Sequence, residues 1–275
     1  PYMGACQGSI LRQVKKNGHT RVVCITDNVI PHEKRPGDRV LTKFFIKPVD
    51  GFITMSDSVQ KDLHQFTDKP SRLVVHPLFD NFGDPVPEKE AREKLRLPDG
   101  PLILFFGFIR KYKGLDLLFK AMRLLKDRNT RVLPTLLVAG EYYGGREEYE
   151  KLISELGIED QLIMRTSFIA DSEVRYYLSA ADFVIQPYRD ATQSGVTPLA
   201  YHFEKPMLVT NVGGLPDLVP DDEVGVVTEP TTEAIAGGIE QLYSRGTVHY
   251  LPYLKVEKQR YSWAKFCEAI LDLGK

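Results

Sequence analysis

Residues 194–218 read SGVTPLAYHFEKPMLVTNVGGLPDL: a glycine loop, a short helical stretch, a buried strand and a second glycine loop. Thr197 is a good helix N-cap and Pro198 suits the first helical position, where its missing N–H costs nothing, so a helix is expected to begin there. Just before it, Ser194 and Gly195 let the backbone approach a ligand closely. Free N–H groups at the positive end of a helix favour an anion, with phosphate the natural candidate. Beyond the helix, Pro206 to Thr210 is a short apolar run suited to a buried parallel strand, closed by Asn211-Val212-Gly213-Gly214. Either glycine pair alone would serve equally as a plain turn. Two of them flanking one strand are what a doubly wound sheet needs to hold a phosphorylated ligand at its carboxyl edge.

Outward from this stretch, strand-like runs alternate with helical patterns, the signature of βαβ units and a mostly parallel sheet. Strands are predicted at 21–26, 51–55, 72–75, 102–107, 135–139, 161–164, 183–185, 207–210 and 225–227. Helices are predicted at 114–126, 149–156, 172–180, 232–243 and 263–273. In the first of these, Leu115, Leu118, Phe119, Met122 and Leu125 fall on one face, with Lys120, Arg123 and Lys126 outside. Residues 76–88, rich in proline, asparagine and glycine, mark a linker and divide the chain into 1–83 and 84–258. Three predicted strands upstream of it are few for a Rossmann-like domain, and the chain starts at Pro1 without a signal-peptide pattern. The expectation is an incomplete, N-terminally truncated first domain.

Composition excludes several classes. With 275 residues, 43% hydrophobic and 27% charged, the chain is ordinary for a globular protein of two domains. Its longest apolar runs fall far short of the roughly 20 residues that span a bilayer. A formal net charge of −1 gives no global attraction for nucleic acid, so any anion site is local. Cys6, Cys24 and Cys267 are too few and too scattered for a disulfide framework or a zinc site, which fits a reducing, cytoplasmic compartment.

A second anion-compatible segment runs from Phe105 to Gly114, FFGFIRKYKG, leaving a buried strand and opening a helix. It brings Arg110, Lys111 and Lys113 to flexible glycines, where cations can neutralise a diphosphate; a solvated basic turn would have the same composition. Three blocks then share order and spacing with one family: Gly107 with Lys113-Gly114-Leu115-Asp116, the run Ser179–Pro187 (SAADFVIQP), and Lys205–Asp217 (KPMLVTNVGGLPD). In these the chain resembles the retaining glycosyltransferases of family 4, whose GT-B fold sets two Rossmann-like domains with parallel sheets face to face. The resemblance covers the second domain and extends more weakly through Ser56-Asp57-Ser58-Val59.

That resemblance implies an α/β protein that binds a nucleotide-sugar donor, UDP- or GDP-linked, in the second domain and an acceptor mainly in the first. It implies a final helix, 259–275, crossing back to the first domain with Trp263 as its anchor. Carried over by position, Lys113 contacts the diphosphate, assisted by Arg110. The backbone around Phe168 and Ile169 meets the base, and the loop Thr192, Gln193, Ser194, Gly195, Val196, Thr197 holds sugar and phosphates beside Gly107. No cofactor or metal is implied, and no Asp-x-Asp motif occurs. Two departures stand out. The family places paired glutamates at positions equivalent to Ala191 and Leu199, and an arginine at the position of Phe108. Asp190, Gln193 and Ser194 are therefore the nearby polar candidates for the sugar, and Arg110 or Lys111 the substitute cation.

In the first domain, Asp27, Asn28, His32 and Glu33 leave a strand into a polar loop, with Asp27 and His32 the candidates for a role near the sugar. Asp27 and Asn28 would equally cap a turn. Residues 34–47 interleave cations with apolar residues; such a helix suits either an anionic membrane face carrying a lipid-linked acceptor or a core position with a solvated side. The implied activity is hexosyl transfer to a hydroxyl acceptor, a carbohydrate or lipid-linked one, with retention, in polysaccharide or glycoconjugate synthesis. A nucleotide-sugar epimerase of the same architecture and a non-catalytic nucleotide-sugar-binding protein are the alternatives.

Overall fold

The computed structural model describes residues 2–30, 36–192 and 194–275. The chain forms two compact units, Pro1–Pro77 with Arg260–Lys275 and Leu78–Gln259. The first contains α1 (Tyr2–Val14), β1 (Val23–Thr26), α2 (Asp38–Ile46), β2 (Gly51–Thr54), α3 (Asp57–His64) and β3 (Ser71–Leu73). Its strands are parallel in the order β1-β2-β3. Alternation along β2 sends Phe52 to one face, with Ile46, Val49, Val59 and Leu63, and Ile53 to the other, with Met55 and Phe266. The second cluster includes the C-terminal helix Trp263–Gly274, which belongs to this unit. Its buried anchor is Phe266, 5% exposed, rather than Trp263, which stays 48% exposed and meets Phe266 edge-on.

Helix α2 is a core helix on one side: Ile46 is buried and Phe45 packs with it, while Val40 is exposed and the Arg12 guanidinium lies 3.7 Å above the Phe44 ring. Lys69 closes its C-terminal end, Nζ donating to the carbonyls of Ile46 at 3.2 Å, Lys47 at 2.7 Å and Val49 at 2.5 Å. Among the described residues no helix is long and apolar enough to cross a membrane.

The second unit runs α4 (Glu88–Leu95), β4 (Leu102–Phe106), α5 (Leu115–Asp127), β5 (Thr135–Ala139), α6 (Arg146–Leu156), β6 (Leu162–Arg165), α7 (Asp171–Ala180), β7 (Phe183–Gln186), α8 (Val196–His202), β8 (Met207–Thr210), α9 (Leu215–Leu218), β9 (Gly225–Thr228), α10 (Thr232–Arg245) and α11 (Thr247–Glu257). All pairings are parallel, in the order β6-β5-β4-β7-β8-β9. The chain therefore winds outward from β4 in one direction and from β7 in the other. In open α/β sheets the crevice beyond the carboxyl ends at such a switch point is where ligands bind.

At the opposite, amino end of the same two strands sits a polar clamp. Arg92, 7% exposed, donates from Nε to the Ala180 carbonyl at 3.0 Å and from Nη1 to the Gly100 carbonyl at 2.6 Å. Its Nη2 meets Asp182 Oδ1 at 3.2 Å and Glu88 at 2.9 Å. Asp182 Oδ2 accepts from the Leu102 N–H at 2.8 Å and the Tyr243 hydroxyl at 3.0 Å. Lys205 Nζ donates to the carbonyls of Ser179 at 3.0 Å and Ala181 at 2.8 Å. Burial, with the Asp182 charge beside it, raises the Tyr243 phenol, and burial lowers the Lys205 ammonium. The Ser179–Asp182 and Lys205 blocks thus hold the sheet together at the end away from the crevice.

The helix predicted to open at Thr197 begins instead at Val196, with Gly195 at the cap position. Thr197 is fully buried and its hydroxyl donates to Gln186 Oε1 at 3.2 Å, so it ties α8 to β7 rather than capping the helix.

Candidate functional site

Where β4 ends the backbone turns on glycines, dictated by a left-handed φ at Gly107 and by a left-handed φ with backbone crowding at Gly114. Gly107 and Gly114 have φ of 94° and 67°. A Cβ on Gly114 would lie 1.9 Å from the Pro187 carbonyl oxygen, one on Gly140 2.2 Å from that of Gly107, and one on Gly213 1.4 Å from that of Ala191. The loops after β4, β5, β7 and β8 therefore meet backbone to backbone. Gly114→Ala is expected to cost about 2–4 kcal/mol and to displace the Pro187 loop. Chemical denaturation checks it: a midpoint equal to that of the parent protein would contradict this close approach.

Onto that floor the 3₁₀ turn Lys111–Lys113 delivers Lys113. Its Nζ lies 3.1 Å from where a Gly107 Cβ would stand and 5.5 Å from the centroid of the Tyr188 ring; Val196 Cγ2 is 3.9 Å from the same Gly107 position. Burial, with the Arg110 charge nearby, lowers the Lys113 ammonium from 10.5 to about 8. Among the described residues no carboxylate forms an ion pair with it. The Arg110 guanidinium is stacked 3.9 Å from the Tyr143 ring centroid. The loop after β7 is fastened to this turn, with the Arg189 N–H donating to the Tyr112 carbonyl at 2.7 Å and the Arg189 side chain paired with Asp116.

Ser194 is fastened on both sides. Ser194 Oγ is 3.2 Å from the Tyr188 hydroxyl and accepts from the Val196 N–H at 3.2 Å. Ser194 is therefore buried and engaged, and among the described residues of this turn Gly195 is the exposed one. Because α8 is seven residues long, its dipole is a weak source of positive charge. The cationic character of the crevice comes from Lys113 and Arg110.

Gly107, Lys113, Ser194 and Val196 thus converge, with Arg110 beside them. Lys111 is exposed on the same turn. Phe168, 73% exposed, and the half-buried Ile169 follow β6, whose carboxyl end opens on the same sheet edge two strands away. Asp190 is exposed and Thr192 half-buried in the loop after β7. Asp27 is exposed after β1 in the other unit. His32, Glu33, Lys34 and Gln193 lie outside the described residues. Ala191 and Leu199, 6% and 3% exposed, pack inward, so apolar burial takes the place of two carboxylates. Tyr188 and Tyr143 were not singled out by sequence reasoning; the available signal was an aromatic in a loop that follows a buried strand, two residues after β7 for Tyr188 and just before Gly144-Gly145 for Tyr143.

The architecture is that of GT-B glycosyltransferases. Sucrose-phosphate synthase from Thermosynechococcus elongatus superposes with a TM-score of 0.79 at 20% identity, over 97% of this chain and 70% of that one. Anabaena HepE in complex with UDP-glucose superposes at 0.77 and 16% identity, over 96% and 76%. Residues 87–253 match the Glycosyl transferases group 1 family, and the chain belongs to it. Among curated relatives, the alpha-D-kanosaminyltransferase of Streptomyces kanamyceticus is 24% identical over 204 residues, 72% of this chain and 52% of the relative. The D-inositol 3-phosphate glycosyltransferase of Saccharomonospora viridis is 28% identical over 267 residues, 93% of this chain and 57% of the relative. The chain spans about half the length of these relatives.

Proposed function

We propose that the crevice at the β4/β7 switch point binds the diphosphate of a UDP- or GDP-linked sugar, and that the protein transfers the sugar to a hydroxyl acceptor with retention. The observation that carries this is the Lys113 ammonium, half-buried beside Arg110 over the bare backbone of Gly107, with no carboxylate paired to it among the described residues. An unpaired cation held over a glycine floor is poised for an anion, and a diphosphate supplies the charge that desolvation makes it lack. In the reaction, the bond from the anomeric carbon to the diphosphate oxygen breaks and the leaving charge is stabilised by Lys113 and Arg110. The acceptor oxygen bonds to that carbon from the same face, and its proton passes to the departing phosphate. No side chain acts as a nucleophile in this scheme, and no metal is needed to hold the leaving group.

We place the backbone around the exposed Phe168 and the half-buried Ile169 against the base, and Asp190 and Thr192 near the sugar. The acceptor, carbohydrate or lipid-linked, belongs to the first unit, where Asp27 and His32 are the candidates. The setting is polysaccharide or glycoconjugate synthesis, at the cytoplasmic face of a membrane.

The lysine makes the proposal testable by pH. A phosphate beside Lys113 raises its lowered ammonium value, so binding takes up a proton at pH above about 8. Affinity for UDP or GDP is therefore expected to hold level from pH 7 to about 8 and then to fall, approaching tenfold per pH unit, until the value of the bound state is reached. Calorimetric titration across pH 7–10 measures it. Absence of binding for both nucleotides would refute the proposal. Tight binding of a nucleotide sugar without turnover across acceptors would favour the non-catalytic reading, for which the apolar Ala191 and Leu199 already speak.

A further inference from the structure

Between the two halves of the anion site stands one side chain to which neither composition nor resemblance assigns a role. Tyr188 is 3% exposed, two residues after β7. Its ring lies 5.5 Å from Lys113 Nζ and takes the Tyr112 ring edge-on at 6.2 Å. Its hydroxyl is 3.2 Å from Ser194 Oγ, which in turn accepts from the Val196 N–H. Its carbonyl accepts from Thr210 Oγ1 at 2.6 Å, so the backbone is fixed from β8 as well. Its chain neighbours complete the bridge: the Pro187 carbonyl rests against Gly114, and Arg189 binds the Tyr112 carbonyl and Asp116.

Resting on the reading of this crevice as a diphosphate site, we infer that Tyr188 is its positioning residue. The ring sets the place and desolvation of the Lys113 ammonium, and the hydroxyl sets the Ser194 turn. The two functions reside in different atoms of the side chain, so they are separable by substitution. Among the described residues the titratable groups facing Lys113 are Arg110 on its own turn and Tyr188 from the β7 loop. The phenol, buried and raised well above its ordinary value, stays neutral over the whole range in which Lys113 titrates. Any change in the lysine's titration on altering Tyr188 therefore reports desolvation and placement, not a second charge.

The experiment combines Tyr188→Phe, Tyr188→Leu, Ser194→Ala and the Tyr188→Phe/Ser194→Ala pair, all in the full chain. It reads the Lys113 titration by NMR of carbon-13-labelled lysine and the affinity for UDP and GDP by calorimetry. Tyr188→Phe keeps the ring and is expected to leave Lys113 titrating near pH 8, while weakening nucleotide binding about 3–10-fold, the effect of one hydrogen bond. Ser194→Ala also removes the acceptor of the Val196 N–H, so it should weaken binding at least as much, and the pair no more than Ser194→Ala alone, because Tyr188→Phe has no contact left to delete once Oγ is gone. Tyr188→Leu should move the Lys113 value upward towards 10.5. A Lys113 titration unmoved in a folded Tyr188→Leu variant, or additive losses in the pair, would overturn the inference. Should the parent protein bind neither nucleotide, the diphosphate reading fails, while the Lys113 titration still tests the placing of the ammonium by the ring.

Discussion

Lys113→Ala is expected to cut kcat/KM for the donor by about 10²–10³-fold, the scale on which a single preorganised electrostatic contact acts in a transition state. The size follows from the setting. The ammonium is desolvated beside a second cation, so it gains most from an anion that develops charge as the sugar leaves. The same fact fixes the sign of a second readout. A lysine whose folded value is about 8 against 10.5 carries no folding penalty above pH 10.5, gains one as the pH falls, and carries all of it below about 8. Lys113→Met should therefore raise stability at pH 7, by about 1–3 kcal/mol, while it removes donor turnover. Steady-state kinetics and denaturant titration of the two variants check the pair of effects. Turnover like that of the parent would remove Lys113 from the mechanism, and a Met variant less stable at pH 7 would remove the buried uncompensated charge.

The largest loss of stability is expected at the other end of the sheet, on Asp182→Ala. Arg92 and Asp182 have side chains 8% and 18% exposed, and removing the carboxylate leaves the buried guanidinium with only the exposed Glu88 as counter-charge among the described residues. It also leaves the Leu102 N–H and the Tyr243 hydroxyl without their acceptor. Breaking a buried pair from one side costs about 3–5 kcal/mol, enough to threaten a domain of ordinary stability. Replacing Arg92 and Asp182 together by apolar residues is expected to cost less than Asp182→Ala alone, because no buried charge is left with only an exposed partner. Equilibrium unfolding of the single and double variants decides it; a double variant less stable than the single would show that the carbonyl contacts of Arg92 outweigh its charge.

How far the sequence reached depended on what each element buries. The nine predicted strands all appear among the described residues, within one or two residues of their expected bounds, because a strand between helices leaves a continuous apolar signature. Helix α4 left none: its buried residues are Ala91 and Arg92, and a charged residue facing inward contradicts every amphipathic pattern. In α11, Pro252 sits inside the helix and reads as a breaker. Thr197 illustrates the limit of local rules. A threonine before a proline suits a cap, but the buried Gln186 Oε1 claims its hydroxyl and shifts the helix start by one residue. At the site, Lys113 and the glycines were readable because their chemistry is unusual in those places. Tyr188 was not, since its role comes from two loops far apart in sequence that meet only in the folded sheet.

The floor of the crevice has a consequence for altering this protein. Gly107, Gly114, Gly140 and Gly213 make it out of main chain, and main chain has no side chain to exchange. Side chains introduced at Gly114, Gly140 or Gly213 collide with backbone carbonyls and destabilise the loops, whereas the exposed Phe108 and Phe168 around the rim can be varied without that collision. New ligand preferences are to be sought on that rim, with the foundation left as inherited.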